Sequence, residues 1–159
     1  MQSFKPHWRR LPEAQQRLWP ELRPTCHLGL VLYGGTAIAL RLGHRISVDF
    51  DFFTDKPLDK RALYASLPFL HQSTVLQDEP ESLTALISGK GSMDDSVKVS
   101  FFGAIDFGRI GQPEMTDDGV LQVATLDDLM ATKVKVLLQR IEVKDYQFVR
   151  KTPPFMARI

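Results

Sequence analysis

The stretch that most constrains this chain runs from Tyr33 to Phe53, YGGTAIALRLGHRISVDFDFF. Residues two apart on a β-strand point to the same side of the sheet. Val48, Phe50 and Phe52 therefore share an apolar face, and Asp49 and Asp51 share the opposite one. The Cα atoms of the two aspartates stand roughly 6–7 Å apart. Two carboxylates about 5 Å apart repel by on the order of 3 kcal/mol at an effective dielectric near 20. A strand this apolar belongs inside a sheet, where such a pair needs a raised pKa, a basic partner or a bound cation. Mg²⁺ suits that demand, because it takes one or two carboxylates and completes its shell with phosphate oxygens. Read alone, D-x-D is more often just two aspartates that end a strand and face water.

The upstream half adds a second element. Leu28 to Tyr33 predicts a short buried strand. Gly34-Gly35 lets the backbone turn sharply and approach a ligand closely. Thr36 is placed to cap a helix over Ala37–Leu42, and free N–H groups at a helix start favour phosphate. Gly34, Gly35 and Thr36 are thus candidate phosphate-binding residues. Asp49 and Asp51 are candidate metal ligands and catalytic acids. Arg45, beside His44 after the helix, offers a planar fork to phosphate; a turn-stabilising role fits both residues as well.

Around this unit the chain reads as support. Met1 to Arg10 is an extended arm that docks by Phe4 and Trp8, and Leu11 to Leu22 has helical spacing that Pro20 ends or kinks. Leu58 to Leu70 reads as a helix. Strands are expected over His71–Gln77 and Ser82–Ser88, about a turn at Asp78–Glu81, and over Val97–Phe102. Phe107 to Asp118 is loop-like, with Lys90 at the tip of an earlier polar loop, and Val120–Ala124 is a short strand. Thr125-x-x-Asp128 then opens a helix in capping-box fashion, with Leu126, Leu129, Met130, Val134, Leu137 and Ile141 as its apolar stripe. Lys133, Arg140 and Lys144, seven and four residues apart, align along a neighbouring stripe. That stripe is either a solvated face or, opposite the acids, a wall for phosphate.

The Gly-Gly turn, thirteen intervening residues and Asp49-Phe50-Asp51 resemble the signature of the polymerase-β-like nucleotidyltransferase superfamily. The fuller string GGTAIALRLGHRISVDFDFF resembles the AbiEii/AbiGii-type nucleotidyltransferase toxins, and KVKVLLQRIEVKD, Lys133 to Asp145, is similar to that family's later K…R…KD motif. The resemblance covers roughly Leu28 to Tyr146. It implies an α/β (α+β) nucleotidyltransferase fold, a mixed sheet flanked by helices, with five or six strands. It implies Mg²⁺-dependent transfer of a nucleotide from an NTP to an acceptor hydroxyl, with two ions possible at Asp49 and Asp51. Asp145 takes a catalytic role, and Lys133, Arg140 and Lys144 bind phosphate. It implies the toxin of a two-gene defence pair, with tRNA as an acceptor and an antitoxin protein as partner. The residues themselves leave RNA, a protein hydroxyl or a small molecule open. Relatives often place a third acid on a strand like Val97–Phe102, where this chain has Ser100; a two-aspartate site, a contribution from Asp106, or a degenerate module that binds without transfer are the readings that follow. Lys98 beside it reaches a phosphate or snorkels.

Composition sets outer bounds. With 159 residues the chain suits one domain and buries about 70% of its unfolded surface. We divide it into an N-terminal arm and helix (1–27), a nucleotidyltransferase-like core (28–146) and a short tail (147–159) that departs from the family after Lys144-Asp145-Tyr146. Cys26 is the single cysteine, which excludes an intramolecular disulfide and fits a reducing cytoplasm. No apolar run approaches the ~20 residues of a membrane span. A net charge of +1 gives no global basic field of the kind many nucleic-acid binders carry.

Overall fold

The computed structural model describes residues 2–43, 49–89, 95–106 and 111–135. Alternation places the centre of the sheet where it was read. In β3 (Asp49–Phe53), Phe50 and Phe52 are fully buried, while Asp49, Asp51 and Phe53 on the other side are half-buried. Before it come β2 (Val31–Tyr33), buried throughout, and α2 (Gly34–Leu42). α2 stops at Gly43, whose left-handed φ of +71° lets its N–H return to the Ala39 carbonyl.

Six further strands complete the sheet: β1 (Ser3–Phe4), β4 (Thr74–Glu79), β5 (Ser82–Ile87), β6 (Val97–Phe102), β7 (Glu114–Thr116) and β8 (Gln122–Val123). Their order is β1-β7-β8-β2-β3-β6-β5-β4, a mixed sheet. β2 and β3 are antiparallel, with Tyr33 opposite Asp51. β3 and β6 are parallel, with Asp49 beside Lys98 and Asp51 beside Ser100. The apolar face is bound by aromatic packing, Phe52 lying 5.6 Å from Phe101 and 6.3 Å from Phe50 between ring centroids.

Eight strands among the described residues exceed the five or six expected. The surplus comes from pieces too short to show a period. Ser3–Phe4 lies within what reads as an arm, and Glu114–Thr116 within what reads as a loop; they pair with each other in parallel across most of the sequence. The predicted helix over Leu11–Leu22 is shorter, α1 (Glu13–Leu18), and passes into 3₁₀ turns over Trp19–Cys26, because Pro20 and Pro24 lack the N–H that an α-helix needs. The helix expected over Leu58–Leu70 also divides. α3 (Lys60–Ser66) is capped by Asp59, which accepts from the Ala62 N–H at 3.0 Å, and Pro68 then opens a 3₁₀ turn. Both tryptophans serve packing: Trp8 stacks on Trp19, and Trp19 Nε1 donates to Asp118 Oδ2 at 2.7 Å.

Thr125 caps the last described helix, residues 126–135, accepting from the Asp128 N–H at 3.3 Å. The stripe read on that helix is only partly covered: Leu129 is buried, whereas Leu126, Met130 and Val134 are exposed. The chain divides after Leu129 into two units, and of the second only residues 130–135 are described, all helical. Among the described residues no helix is long and apolar enough to cross a membrane.

Arg41 ties the end of α2 to the far strands. Its buried guanidinium donates to the Ala124 carbonyl at 2.6 Å, the Val123 carbonyl at 3.1 Å and Glu114 Oε1 at 2.8 Å, and it lies 4.2 Å over the Phe4 ring. Removing it takes away the guanidinium donors that these two carbonyls and Glu114 share. Arg41→Met is therefore expected to cost about 2–3 kcal/mol, read as a lower urea midpoint at unchanged slope.

Candidate functional site

The two aspartates do project from one face of one strand. Asp49 and Asp51 alternate with the buried Phe50 and Phe52, and their surroundings differ. Asp49 Oδ2 lies 3.7 Å from Lys98 Nζ, its lateral neighbour on β6. Asp51 sits deeper, flanked by Tyr33 on β2 and Ser100 on β6, with Phe53 next on its own face. The Tyr33 and Phe53 rings stack 4.8 Å apart, and Phe102 meets Phe53 edge-on at 5.3 Å. Burial holds the Asp51 carboxyl above the usual carboxylate range; the charge of Asp49 raises it further and Lys98 pulls it back. The repulsion inferred from D-x-D is thus met by a raised pKa and a basic partner together. Lys98 serves as that partner, a use beyond the phosphate contact or snorkelling read from the sequence.

The Gly-Gly corner abuts this pair. Gly34 has a φ of +77°, and a Cβ placed on it would stand 2.7 Å from Asp51 Oδ2. Only glycine lets the turn close onto the carboxylate without displacing it. Gly35 follows in the first turn of α2, whose leading N–H groups have no intrahelical acceptor. Thr36 corrects the capping expectation. α2 begins at Gly34, with Tyr33 in the cap position and no side-chain cap, so Thr36 lies inside the helix. Its hydroxyl is buried and donates to the Asp49 carbonyl.

Ser100 is the residue that the family resemblance sets at a third acid's position. It lies beside Asp51 in register, is buried, and its Oγ accepts from Thr84 Oγ1 at 3.1 Å. Asp106 is exposed. Among the described residues no three His, Cys, Asp or Glu side chains converge as a metal site. The donor set is two carboxylates on one face, one of them disfavoured as a bare anion. It fits a hard cation that keeps most of its shell for water and phosphate oxygens, as Mg²⁺ does.

Lys133 is exposed on the helical residues of the second unit. Arg45, Arg140, Lys144 and Asp145 lie outside the described residues, as do His44, Val48, Lys90, Leu137, Ile141 and the tail 147–159. Sequence reasoning missed the Lys98–Asp49 pair and the place of Tyr33 beside Asp51. Parity along Val97–Phe102 put Lys98 and Ser100 on one face, but pairing register between distant strands leaves no mark in composition.

Comparison with known proteins gives three findings. Residues 18–147 match the family described as AbiEii, the nucleotidyl transferase AbiEii toxin of a Type IV toxin–antitoxin system. An uncharacterised protein of Aquifex aeolicus (strain VF5) is 32% identical over 117 residues, which is 72% of this chain and 53% of that protein. The chain thus spans about half the length of the curated relative it matches. Two solved structures share the fold, each described as a candidate nucleotidyltransferase. The one from H. pylori has a TM-score of 0.57 at 17% identity, covering 76% of this chain and 56% of its own. The one from Thermotoga maritima has a TM-score of 0.55 at 13% identity, covering 89% and 96%.

Proposed function

Because the chain belongs to the AbiEii nucleotidyl transferase toxin family, we propose that it moves a nucleotide from an NTP to an acceptor hydroxyl at Asp49 and Asp51. The observation that carries this reading is the closure of Gly34 onto the Asp51 carboxylate, which brings the start of α2, proposed to take the triphosphate, against the two aspartates proposed to hold metal. Asp49 and Asp51 would hold one or two Mg²⁺ ions. When bound, Mg²⁺ supplies Lewis-acid polarisation of the phosphate and charge neutralisation of the leaving pyrophosphate. The chain's own part is positioning. Gly34, Gly35 and the Thr36 N–H orient the triphosphate at the start of α2. Lys98 holds Asp49 in place and offsets the charge of the pair. Arg45, Lys133, Arg140 and Lys144 are proposed to line the triphosphate and Asp145 to assist the acceptor, on the resemblance of the second motif. We take RNA, with tRNA as the first candidate, for the acceptor, and an antitoxin as the protein partner, both on the family reading.

The test is label transfer. With Mg²⁺ and each α-labelled NTP in turn, label is expected in total RNA, with pyrophosphate released, and none without a divalent ion. Label in protein or in a small molecule instead of RNA overturns the acceptor, and no label anywhere with no pyrophosphate released overturns transfer. A second reading rests on Ser100 standing at the third-acid position beside Asp51. It is a module that holds nucleotide without transferring it, and thermal stabilisation by NTP with Mg²⁺, without label in any acceptor, favours it.

A further inference from the structure

The acid-bearing strand is held from behind by a buried polar chain that begins outside the family motif. Thr36 Oγ1 donates its one proton to the Asp49 carbonyl. Whatever approaches the remaining lone pairs of that hydroxyl must therefore be a donor. Gln15 of α1 meets this need, with Nε2 at 3.4 Å from Thr36 Oγ1. The orientation has a cost: Gln15 is 1% exposed, and its Oε1 has no hydrogen-bond partner among the described residues. A buried acceptor without a donor is destabilising. A leucine or methionine at this position would fill the space without that penalty, so packing alone does not account for a glutamine here.

We propose that Gln15 is a positioning residue for the metal–nucleotide site, fixing through Thr36 the main chain of Asp49 and the first turn of α2 at once. Thr36 is the link, because it sits on the helix that starts at the Gly-Gly corner and bonds to the strand that carries both acids. Gln15 fixes the rotamer of that link from a third element, α1. The proposal rests on the nucleotidyltransferase reading for its nucleotide half, and on Asp49 and Asp51 alone for its metal half.

The experiment uses the full chain and two probes, Mn²⁺ alone and Mn²⁺ with ATP, with free Mn²⁺ read by electron paramagnetic resonance beside a thermal melt. Gln15→Met keeps the volume and removes both polar atoms. It is expected to melt within about 3 °C of wild type, or above it, while binding Mn²⁺ about tenfold more weakly, the lower end of what outer residues cost a metal site. Thr36→Val is expected to weaken Mn²⁺ binding by a similar factor, Thr36→Ser to leave it near wild type, and Gln15→Met with Thr36→Val to be no worse than Thr36→Val alone. Unchanged Mn²⁺ affinity in Gln15→Met overturns the proposal. So does a Gln15→Met chain that melts far below wild type or fails to fold, since Gln15 is then a stability residue, and so do additive losses in the double variant. If ATP adds nothing to Mn²⁺ binding by wild type, the nucleotide reading fails while the Mn²⁺ arm still decides Gln15. A wild-type chain that takes up no Mn²⁺ overturns both.

Discussion

Asp51→Asn is expected to abolish nucleotide transfer, by about 10³-fold or more, while making the metal-free protein more stable at neutral pH. On the proposed function, the loss follows from removing one of the two carboxylates that would hold Mg²⁺, an ion worth several kcal/mol of transition-state stabilisation in phosphoryl-transfer chemistry. The gain follows from the state of Asp51 in the folded chain. Its carboxyl is held above the usual range by burial and by Asp49, so ionising it costs more in the native protein than in the unfolded one. A group raised in this way leaves stability intact below its unfolded pKa and removes it as pH rises through the folded value. The asparagine variant escapes that loss. Its advantage is on the order of 1–2 kcal/mol at pH 7.5, the mutational scale for imperfectly compensated polar burial, and it vanishes as pH falls toward about 4, near the unfolded carboxylate pKa. Saturating Mg²⁺ narrows it too, because only wild type gains from the ion. Urea midpoints of both chains at pH 4.5 and 7.5, with and without Mg²⁺, read all of this. An asparagine variant less stable than wild type at pH 7.5 without metal would mean that Lys98 already compensates the pair in full.

Gly34→Ala carries the second large effect, on folding and site together. At φ +77° an alanine pays roughly 1–2 kcal/mol for the left-handed backbone. Its Cβ also meets Asp51 Oδ2 at 2.7 Å, so the carboxylate or the turn must move. We expect a total cost of about 2–4 kcal/mol and a loss of activity near 10²-fold in the fraction that folds, the size of effect that an ångström of misplacement produces. Gly29 supplies the control. Its φ is +71°, but a Cβ there has nothing within 4 Å, so Gly29→Ala pays the backbone cost alone and leaves Mn²⁺ binding untouched. Equal stability losses in the two variants would show that the close approach to Asp51 is not what demands glycine at 34.

The core of the site was legible because two short periods carry it. Alternation in DFDFF assigned the faces of β3 without knowledge of its neighbours, and Gly34-Gly35 marked a turn that no other residue type makes as easily. Strand β6 was legible for the same reason; the strand expected over His71–Gln77 instead runs Thr74–Glu79, so the turn read over Asp78–Glu81 is confined to residues 80–81. What was not legible depends on pairing at a distance. Ser3–Phe4 and Glu114–Thr116 are strands only because each completes the other, and neither has length enough for a pattern. Thr36 was misassigned because threonine before an apolar run is a good cap. Here the helix had already begun two residues earlier, at a glycine, and the hydroxyl turned inward to the Asp49 carbonyl. Gln15 reads as one polar position on a short helix, and its burial is visible only once Thr36 lies beneath it.

The strand order has a consequence for synthesis. β2 lies between β8 and β3, and β3 lies between β2 and β6, so the acid-bearing hairpin is flanked on both sides by chain made later. On a ribosome, β2, α2 and β3 emerge with their edges unpaired and wait for Val97–Phe102 and then Gln122–Val123. Such non-local pairing is slow and comes late. The corner and the two acids come from one local run of chain, residues 31–53, but the two outer edges of that unit gain their partners only after residues 97–102 and 122–123 have been made.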